Sequence, residues 1–292
     1  MTEVEEKPQP TPTPAPAILS IGRDPTPDDK VRDDVLTDML SAHNLFPSKE
    51  DKDIRERVLQ GLQRLSQECC LEIAQSHGIS FTEADIQNPY SEVDAMGADG
   101  EGVADGADPA QPQASSASRA APIEDSPIVD ITKGNIAFAK VVTSGSYPLG
   151  VYNSGSDIDV TAVCANHVTR DDFFNLMVDK LNECEDAKNV HYIRDAFVPI
   201  IDVEFMGISI DLLFIRLKLL YIPDDLNLHD PKMITYYGDK LETVNGKDKD
   251  ERKDNANNAN GPRVAKYLLE NVPNLEAFRS ALRFIKFWAG RK

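Results

Sequence analysis

The sequence predicts an α+β fold, in which a mixed β-sheet with flanking helices is followed by the start of a helical central domain. The spacing of apolar residues supports this class. Apolar residues recur every three or four positions between Ile54 and Ile73, as in an amphipathic helix. Residues 136–230 are instead dominated by short β-branched runs, which are typical of strands, and helical spacing returns after Arg263.

The N-terminal part of the chain divides into a tail and a helical segment. Residues 1–21 alternate Pro with other residues, a composition that favours extended chain, and we expect a disordered acidic tail. Residues 22–80 should form two helices that pack on the following domains. The longer helix has one apolar face, formed by Ile54, Val58, Leu62, Leu65, Cys69 and Ile73. The shorter one is indicated by Val35, Leu36, Met39 and Leu40.

An acidic insertion is expected at residues 81–133. Residues 82–130 contain eleven acidic residues and a single basic one, Arg119, among many Ala, Gly, Ser and Pro. Such a composition buries too little apolar surface to offset the entropy cost of ordering, so we expect disorder. This segment alone carries a net charge of −10, more than half of the −18 of the whole chain.

Residues 134–238 contain the sheet-forming runs. IAFAKVVT and IDVTAVCA each predict a strand. VPIIDVEF and ISIDLLFI are separated only by Met206 and Gly207, which predicts an antiparallel hairpin. Thr169 stands three residues before Asp172 and is therefore placed to cap the helix RDDFFNLMVDKLNEC.

The remaining residues divide into a loop and a second helical segment. Residues 239–261 mix charges of both signs with an Asn-rich run and have no apolar periodicity, which predicts a solvated surface loop. Residues 262–292 should begin the helical central domain. Its last helix has one apolar face, formed by Leu275, Phe278, Leu282 and Ile285. A second face of that helix is basic, with Arg279, Arg283 and Lys286.

Composition argues against two classes of protein. No apolar run approaches the ~18 residues of a membrane helix, and the first residues lack the segments of a signal peptide, so we expect neither a membrane nor a secreted protein. The four cysteines have no metal-ligand spacing with the five histidines, which favours a reducing compartment. The acidic total does not exclude a nucleic-acid partner, because residues 261–292 carry +5.

The densest cluster of chemically active residue types is SGSYPLGVYNSGSDIDV. Gly145 and Ser146 form a small-residue turn after a predicted strand, where backbone N–H groups can converge on an anion. Asp157 and Asp159 alternate along the next predicted strand and therefore project from one face. Asp211 lies within an apolar run, where an unpaired charge is costly. If the hairpin lies beside the Asp157 strand, the three carboxylates converge and could hold two Mg²⁺ or Mn²⁺ ions.

This combination of a Gly-Ser turn, an Asp-x-Asp pair and a distant third carboxylate resembles the nucleotidyltransferase pattern. NLFPSKEDKDIRERVLQGL, HVTRDDFF, RDAFVPII, IPDDLNLHD and VPNLEAFRSALRFIKFWA resemble successive landmarks of eukaryotic nuclear poly(A) polymerases, as does the Asn-Gly before Arg263. The resemblance covers residues 22–80 and 134–292. It implies a nucleotidyltransferase-type sheet and the template-independent addition of AMP from ATP to RNA 3′ ends in mRNA polyadenylation. It also implies a nuclear location, and mRNA 3′-processing factors as partners.

Carried over by position, the resemblance assigns the site residues. Asp157, Asp159 and Asp211 would be the catalytic residues and the ligands of two Mg²⁺ or Mn²⁺ ions. The ATP-binding residues would be Ser144, Gly145, Ser146, Asn153, Asn260 and Lys286. Lys286 shares a helix face with other basic residues, and a positive point charge suits a phosphate.

The chain departs from the family's pattern in several places. Ser144 stands where an aromatic residue is usual, and Pro148 stands where Arg is usual. Asp202 replaces a Lys and thereby reverses a charge near the expected cleft. The chain also stops at Lys292, soon after the central domain begins, whereas the family continues. We therefore expect a fragment of a longer poly(A) polymerase that is weak or inactive alone.

Three other functions remain compatible with these residues. A terminal uridylyltransferase-like or CCA-adding enzyme shares the three carboxylates, which do not select a base. A glycosyltransferase also uses Asp-x-Asp to hold a metal and a nucleotide sugar, but it requires neither the Gly-Ser turn nor Asp211. In a non-catalytic protein-binding scaffold, the acidic insertion would be the functional part and the carboxylates would be dispensable.

Overall fold

A computed structural model of the chain describes residues 24, 26–82, 128, 129, 136–194, 196, 198–228 and 248–291. Its helices are α1 (Pro27–Ala42), α2 (Lys49–Ser76), α3 (Ser146–Leu149), α4 (Arg170–Glu183), α5 (Asp248–Asn271) and α6 (Leu275–Ala289). Its strands are β1 (Phe81–Thr82), β2 (Ile128–Val129), β3 (Ala139–Ser144), β4 (Ile158–Cys164), β5 (Ala187–Ile193), β6 (Ile200–Phe205) and β7 (Ile208–Arg216). The chain forms two compact units: residues 1–39, which contain most of α1, and residues 40–292, which contain the sheet.

Five strands form one mixed sheet in the order β3-β4-β7-β6-β5. Strands β4 and β7 are parallel, and the other neighbouring strands are antiparallel. Strands β6 and β7 form the predicted hairpin, and its turn residues Met206 and Gly207 both have positive φ, at 51° and 79°. A two-residue turn of this kind matches the right-handed twist of the strands that it joins. The predicted α+β class is confirmed.

Helices α2 and α4 cover one face of the sheet. Helix α2 begins at a capping box, in which the Asp51 N–H donates to the Ser48 hydroxyl oxygen at 3.0 Å and the Ser48 N–H donates to Oδ2 of Asp51 at 2.9 Å. Its predicted apolar face is buried at five positions and partly buried at Ile54. Helix α4 begins at the predicted cap Thr169, and its Phe173 ring lies 5.2 Å from the Phe214 ring of β7. In the described residues, no helix is both long enough and apolar enough to cross a lipid bilayer.

Two glutamines of α2 cover the outer edge of the sheet. Gln67 accepts from the backbone N–H groups of Phe138 and Ala139, at 2.8 and 3.1 Å. Gln63 accepts from the Val141 N–H at 2.7 Å and donates to the Ala139 carbonyl oxygen at 2.9 Å. These side-chain amides bond to backbone groups that a sixth strand would otherwise pair with. Fewer backbone groups of β3 are therefore left unpaired at this edge of the sheet.

Replacement of Gln67 should destabilise the fold through this edge. We expect Gln67→Met to lower the free energy of unfolding by about 1–3 kcal/mol, because half-buried backbone N–H groups lose their acceptor. Gln60→Met is the matched control, since Gln60 is exposed on the same helix and its side-chain amide donates to Glu56 at 3.5 Å. Urea denaturation measures both variants, and equal midpoints would contradict a role for Gln67 at the sheet edge.

The structure corrects the loop prediction for residues 239–261. Residues 248–261 are not a surface loop but the first part of helix α5. The buried Asn258 side chain donates to the Phe214 carbonyl oxygen of β7 at 2.7 Å, and Ala259 is fully buried. These contacts with distant residues stabilise a helix in a polar segment that lacks apolar periodicity. Residues 239–247 lie outside the described residues.

The acidic insertion expected at residues 81–133 contains two short strands. Strands β1 and β2 pair antiparallel there, with Phe81 opposite Val129 and Thr82 opposite Ile128. Disorder was therefore the wrong prediction for these four residues, because backbone pairing requires only that two extended segments meet. The rest of the insertion and the tail at residues 1–21 lie outside the described residues.

Strand β5 has no clear signal in the sequence. It is an edge strand with several exposed residues, so it has no continuous apolar alternation. Asn189 has a left-handed φ of 53°, and the register with β6 shifts between Lys188 and His191. Such a bulge interrupts the period of two on which strand prediction depends.

Candidate active site

The three predicted carboxylates lie on neighbouring strands of the sheet. Asp159 on β4 is directly opposite Asp211 on the parallel strand β7, and Asp157 immediately precedes β4. Asp157 is exposed, whereas Asp159 and Asp211 are partly buried. The fully buried neighbours Ile158 and Val160 point toward the core, so Asp159 projects from the other face. The structure thus places Asp159 beside Asp211 and places Asp157 just before the first residue of β4.

The carboxylates belong to a longer row that crosses all five strands. Ser144 is opposite Asp159, Asp202 is opposite Asp211 on its other side, and His191 is opposite Asp202. The site assignment from sequence omitted Asp202 and His191. A sequence signal exists for Asp202, because a two-residue hairpin turn determines the pairing register.

Burial and mutual repulsion disfavour the charged forms of two members of the row. Burial raises the pKa of Asp159, and the nearby Asp157 carboxylate raises it further, while Lys286 acts in the opposite direction. Burial also raises the pKa of Asp211, followed by the effects of Asp159, Asp157 and Asp202. Carboxylates that share a site in this way attract a cation or a proton.

The raised pKa values predict a pH-dependent stability of the metal-free chain. Below the ordinary Asp pKa of 3.8, Asp159 is protonated in both the folded and the unfolded chain. Between 3.8 and the raised folded pKa, the unfolded chain ionises first, so the folded state loses stability as the pH rises. Asp159→Asn should therefore be more stable than the wild type at pH 7 and equally stable below pH ~4. Urea titrations at both pH values test this, and a less stable variant at pH 7 would contradict it.

The predicted Gly145–Ser146 turn follows β3 and lies against the carboxylates. Gly145 has φ 65° and ψ −139°, and a Cβ placed on it would stand 1.9 Å from Oδ2 of Asp159. Only glycine permits both this backbone conformation and this approach. Ser144 is buried, and Ser146 begins α3 and is partly buried. The turn thus presents backbone, not a side chain, to the Asp159 carboxylate.

The basic face of α6 contacts the segment that follows this turn. Arg279, Arg283 and Lys286 each donate to a main-chain carbonyl oxygen, at 2.9 Å for Arg279 and 3.5 Å for Lys286. The acceptors are successive residues, 149–151. They lie at the C-terminal end of α3, where helix carbonyls lack internal partners and cationic donors are favourable. The basic face is therefore an intramolecular contact, whereas its apolar neighbour Ile285 is 53% exposed.

Lys286 acts electrostatically on Asp159 and lines a cavity. Its positive charge lowers the pKa of Asp159. With Asn153, Arg283 and Arg291, it also lines a cavity of about 330 Å³. A cavity with several cationic side chains beside a carboxylate row suits a polyphosphate.

The two predicted asparagines are placed differently. Asn153 shares the cavity with Lys286, but its side-chain oxygen already accepts from the Gly155 N–H and the Ser156 hydroxyl, both at 3.1 Å. Asn260 is exposed on α5 and lines a separate cavity of about 340 Å³, whose lining residues in the described chain all belong to α5. The structure thus brings Asn153, but not Asn260, to the Lys286 cavity.

The carboxylates suit a hard divalent ion in ligand type and charge. Mg²⁺ and Mn²⁺ prefer carboxylate oxygen, and such an ion would remove the repulsion that raises the pKa values of Asp159 and Asp211. In the part of the chain that the structure describes, no group of three His, Cys, Asp or Glu side chains is positioned to hold a metal ion. The donor chemistry therefore fits, while the side-chain positions do not by themselves form a complete ligand set.

Comparison with known proteins finds similarity to poly(A) polymerases. Residues 132–272 match the model of the poly(A) polymerase nucleotidyltransferase domain. The poly(A) polymerase pla1 of Schizosaccharomyces pombe is 43% identical over 158 residues, which are 54% of this chain and 25% of that protein. The poly(A) polymerase PAPalpha of Candida albicans is 32% identical over 268 residues, which are 92% of this chain and 37% of that protein. The chain thus spans well under two thirds of the length of these relatives.

Two solved structures each match about a quarter of the chain. A structure of Cid1, described by its RNA terminal uridylyl transferase activity, has 22% identity over 26% of this chain and 24% of that chain, with a TM-score of 0.23. The GLD-2/RNP-8 complex has 24% identity over 26% of this chain and 29% of that chain, also with a TM-score of 0.23. Matches of this extent bear on neither activity nor substrate.

Proposed function

Because the chain belongs to the poly(A) polymerase family of nucleotidyltransferases, we propose that it carries the catalytic domain of a polynucleotide adenylyltransferase. The proposed reaction is the template-independent addition of AMP from ATP to the 3′ end of an RNA, as in mRNA polyadenylation. One observation carries the proposal. Asp159 and Asp211 face each other on adjacent parallel strands, with Asp157 two positions before Asp159 and the Gly145 turn against them.

The reaction is an in-line displacement at the α-phosphorus of ATP. The RNA 3′-hydroxyl gives up its proton to water, its oxygen forms a bond to that phosphorus, the bond to the bridging oxygen of the β-phosphate breaks, and pyrophosphate leaves. Asp157, Asp159 and Asp211 would hold Mg²⁺ or Mn²⁺. Two such ions would supply activation of the hydroxyl and stabilisation of the leaving pyrophosphate.

Residues beside the carboxylates would bind the triphosphate. The Gly145 turn offers backbone groups without an intervening side chain, and Ser144 and Ser146 flank it. Lys286 would neutralise phosphate charge from the opposite side, since it lies near Asp159 and lines the neighbouring cavity. Asn153 would donate from its side-chain NH₂ group, because its side-chain oxygen already accepts from Gly155 and Ser156. Asn260 precedes Gly261, where a Cβ would stand 2.9 Å from Cβ of Ser144, so Asn260 would contribute from beside the Gly145 turn.

A biological setting is part of the same proposal. We place the complete protein in the nucleus, acting on pre-mRNA 3′ ends together with mRNA 3′-processing factors. Residues 261–292 carry a net charge of +5 and would favour binding of the RNA backbone. Detection of the tagged protein in the cytosol alone would contradict this location.

The proposal is tested by a nucleotide-addition assay. The chain and, in parallel, the complete product of the same gene are incubated with an oligo(A) primer, labelled ATP, UTP or GTP, and Mg²⁺ or Mn²⁺. We expect metal-dependent addition of AMP by the complete protein, and a loss of at least about 100-fold in Asp157→Ala and Asp211→Ala.

Each outcome of this assay distinguishes between functions. Adenylyl transfer is rejected if the complete protein adds no AMP or if the alanine variants match it. Preferential addition of UMP would indicate a terminal uridylyltransferase. A scaffold role requires that calorimetry detect no metal-dependent ATP binding, or that Asp211→Ala leave such binding unchanged.

A further inference from the structure

Arg55 on helix α2 is a charged side chain buried in the core. It is 0% exposed and lies among the inward-facing positions of α2, next to the apolar Val58 and Leu62. Arginine is rarely buried to this extent, because removing its charge from water is costly unless the guanidinium has partners. Its partners therefore indicate its role.

The partners of Arg55 are three main-chain carbonyls of one turn. Its Nη2 donates to the carbonyl oxygens of Asn153, Ser154 and Ser156 at 3.0, 3.2 and 2.6 Å. Its guanidinium also lies 5.1 Å from the centroid of the Tyr152 ring. The turn at residues 153–156 directly precedes Asp157, so a single buried cation holds the segment that leads to the first carboxylate.

A second contact joins the same turn to α2. The Ser154 hydroxyl donates to Oδ2 of Asp51 at 3.1 Å, and Oδ1 of Asp51 is 4.0 Å from Nη1 of Arg55. Asp51 is itself held by the Ser48 capping box. The first turns of α2 thus hold residues 153–156 at two points.

Asp157 depends on this turn more than the other two carboxylates do. Asp159 and Asp211 lie within β4 and β7, where ladder hydrogen bonds determine their positions. Asp157 is exposed and lies before the first residue of β4, so its position is determined by the backbone that precedes it.

We propose that Arg55 is a positioning residue for Asp157. The proposal rests on the proposed nucleotidyl transfer, in which Asp157 is a metal ligand. Arg55 touches no reacting group; it binds three converging carbonyls, which would otherwise repel one another, and so holds the turn in the single conformation that directs Asp157 toward Asp159. A ligand displaced by about 1 Å can cost ~100-fold in rate.

The test compares three substitutions in α2. Arg55→Met removes the charge and the donors, whereas Arg55→Lys keeps an ammonium group that can replace the one donating nitrogen. Arg64→Met is the matched control, since Arg64 lies on the same helix with its side chain 72% exposed. Amide hydrogen exchange of residues 153–157 without metal and Mn²⁺ affinity by electron paramagnetic resonance are measured on the chain. The kinetic constants kcat and KM for ATP are measured in the nucleotide-addition assay with the complete product of the gene.

We expect Arg55→Met to increase exchange at residues 153–157 about tenfold or more, while exchange in the core strands β4 and β7 stays unchanged. We expect Mn²⁺ affinity and kcat to fall about tenfold or more, with KM for ATP nearly unchanged, and Arg55→Lys to restore most of each loss. Arg64→Met should resemble the wild type in every measurement.

The proposal is overturned if Arg55→Met leaves exchange and Mn²⁺ affinity at the level of Arg64→Met. It is also overturned if exchange rises equally throughout the sheet, which would indicate general destabilisation. If Arg55→Met does not fold, Arg55→Lys decides, and a lysine variant as defective in Mn²⁺ affinity as Asp157→Ala contradicts the role. Exchange is measured without nucleotide, so a wild type that transfers no AMP refutes nucleotidyl transfer while leaving the effect on the turn measurable.

Discussion

Asp211→Asn is expected to lower the rate of AMP transfer by at least about 100-fold, because the amide lacks the negative charge that a divalent ion requires. Asp211 is directly opposite Asp159, so the substitution removes one of two facing carboxylates. The variant should nevertheless fold and, without metal, resist urea better at pH 7, since burial and the neighbouring carboxylates raise the pKa of Asp211. The rate is measured at saturating ATP, primer and Mn²⁺.

Asp202→Asn is the matched control for this prediction. Asp202 also stands opposite Asp211, on β6, but the metal assignment does not include it. The charge of Asp202 raises the pKa of Asp211. Removal of that charge should therefore lower the pKa of Asp211, and the rate of AMP transfer should not fall. Equal losses of rate in Asp211→Asn and Asp202→Asn would contradict the assignment of Asp211.

Gly145→Ala should have an effect of similar size through geometry. The added Cβ would stand 1.9 Å from Oδ2 of Asp159, so the carboxylate or the turn must move. We expect a fall of about 100-fold in rate from a displacement on the scale of an ångström. We also expect a cost of about 1–3 kcal/mol in unfolding free energy from the backbone conformation alone. Steady-state kinetics and urea denaturation measure the two effects.

Gly78→Ala separates the two causes. Gly78 has a φ of 63°, close to that of Gly145, but a Cβ at this position would meet no atom within 4 Å. It should therefore lose about 1 kcal/mol of stability and no activity. If both alanine variants have wild-type rates, the approach of Gly145 to Asp159 is not required for the reaction.

Local patterns were sufficient to predict part of the site. Alternation along one strand predicted that Asp157 and Asp159 share a face, and the small residues at 145 and 146 indicated a turn. Asp202 was predictable in the same way, because it stands four residues before Met206, as Asp211 stands four residues after Gly207. In a two-residue hairpin these positions must pair, and they do. His191 was not predictable, because the bulge in β5 shifts its register.

Other features depend on contacts between residues that are distant in the sequence, and local patterns do not predict such contacts. Residues 248–261 are polar and were predicted as a loop, yet Asn258 finds an acceptor on β7 and the segment is helical. The basic residues of α6 also donate to carbonyls of residues 149–151, a contact that their spacing in the sequence does not predict. In both cases a polar side chain is satisfied by a group that is distant in the sequence.

The sequence by itself determined the elements whose causes lie within a few residues: the capped helices α2 and α4, the β6–β7 hairpin, the glycine turn and the identity of the three carboxylates. The tertiary structure decided which strand lies beside β4, and therefore that Asp159 faces Asp211 across a parallel pair. It also decided that Arg55 bonds to Asn153, a residue 98 positions away. Periodicity and capping act over one or two turns of chain, whereas the geometry of a metal site and the partner of a buried charge depend on segments that meet only when the chain folds.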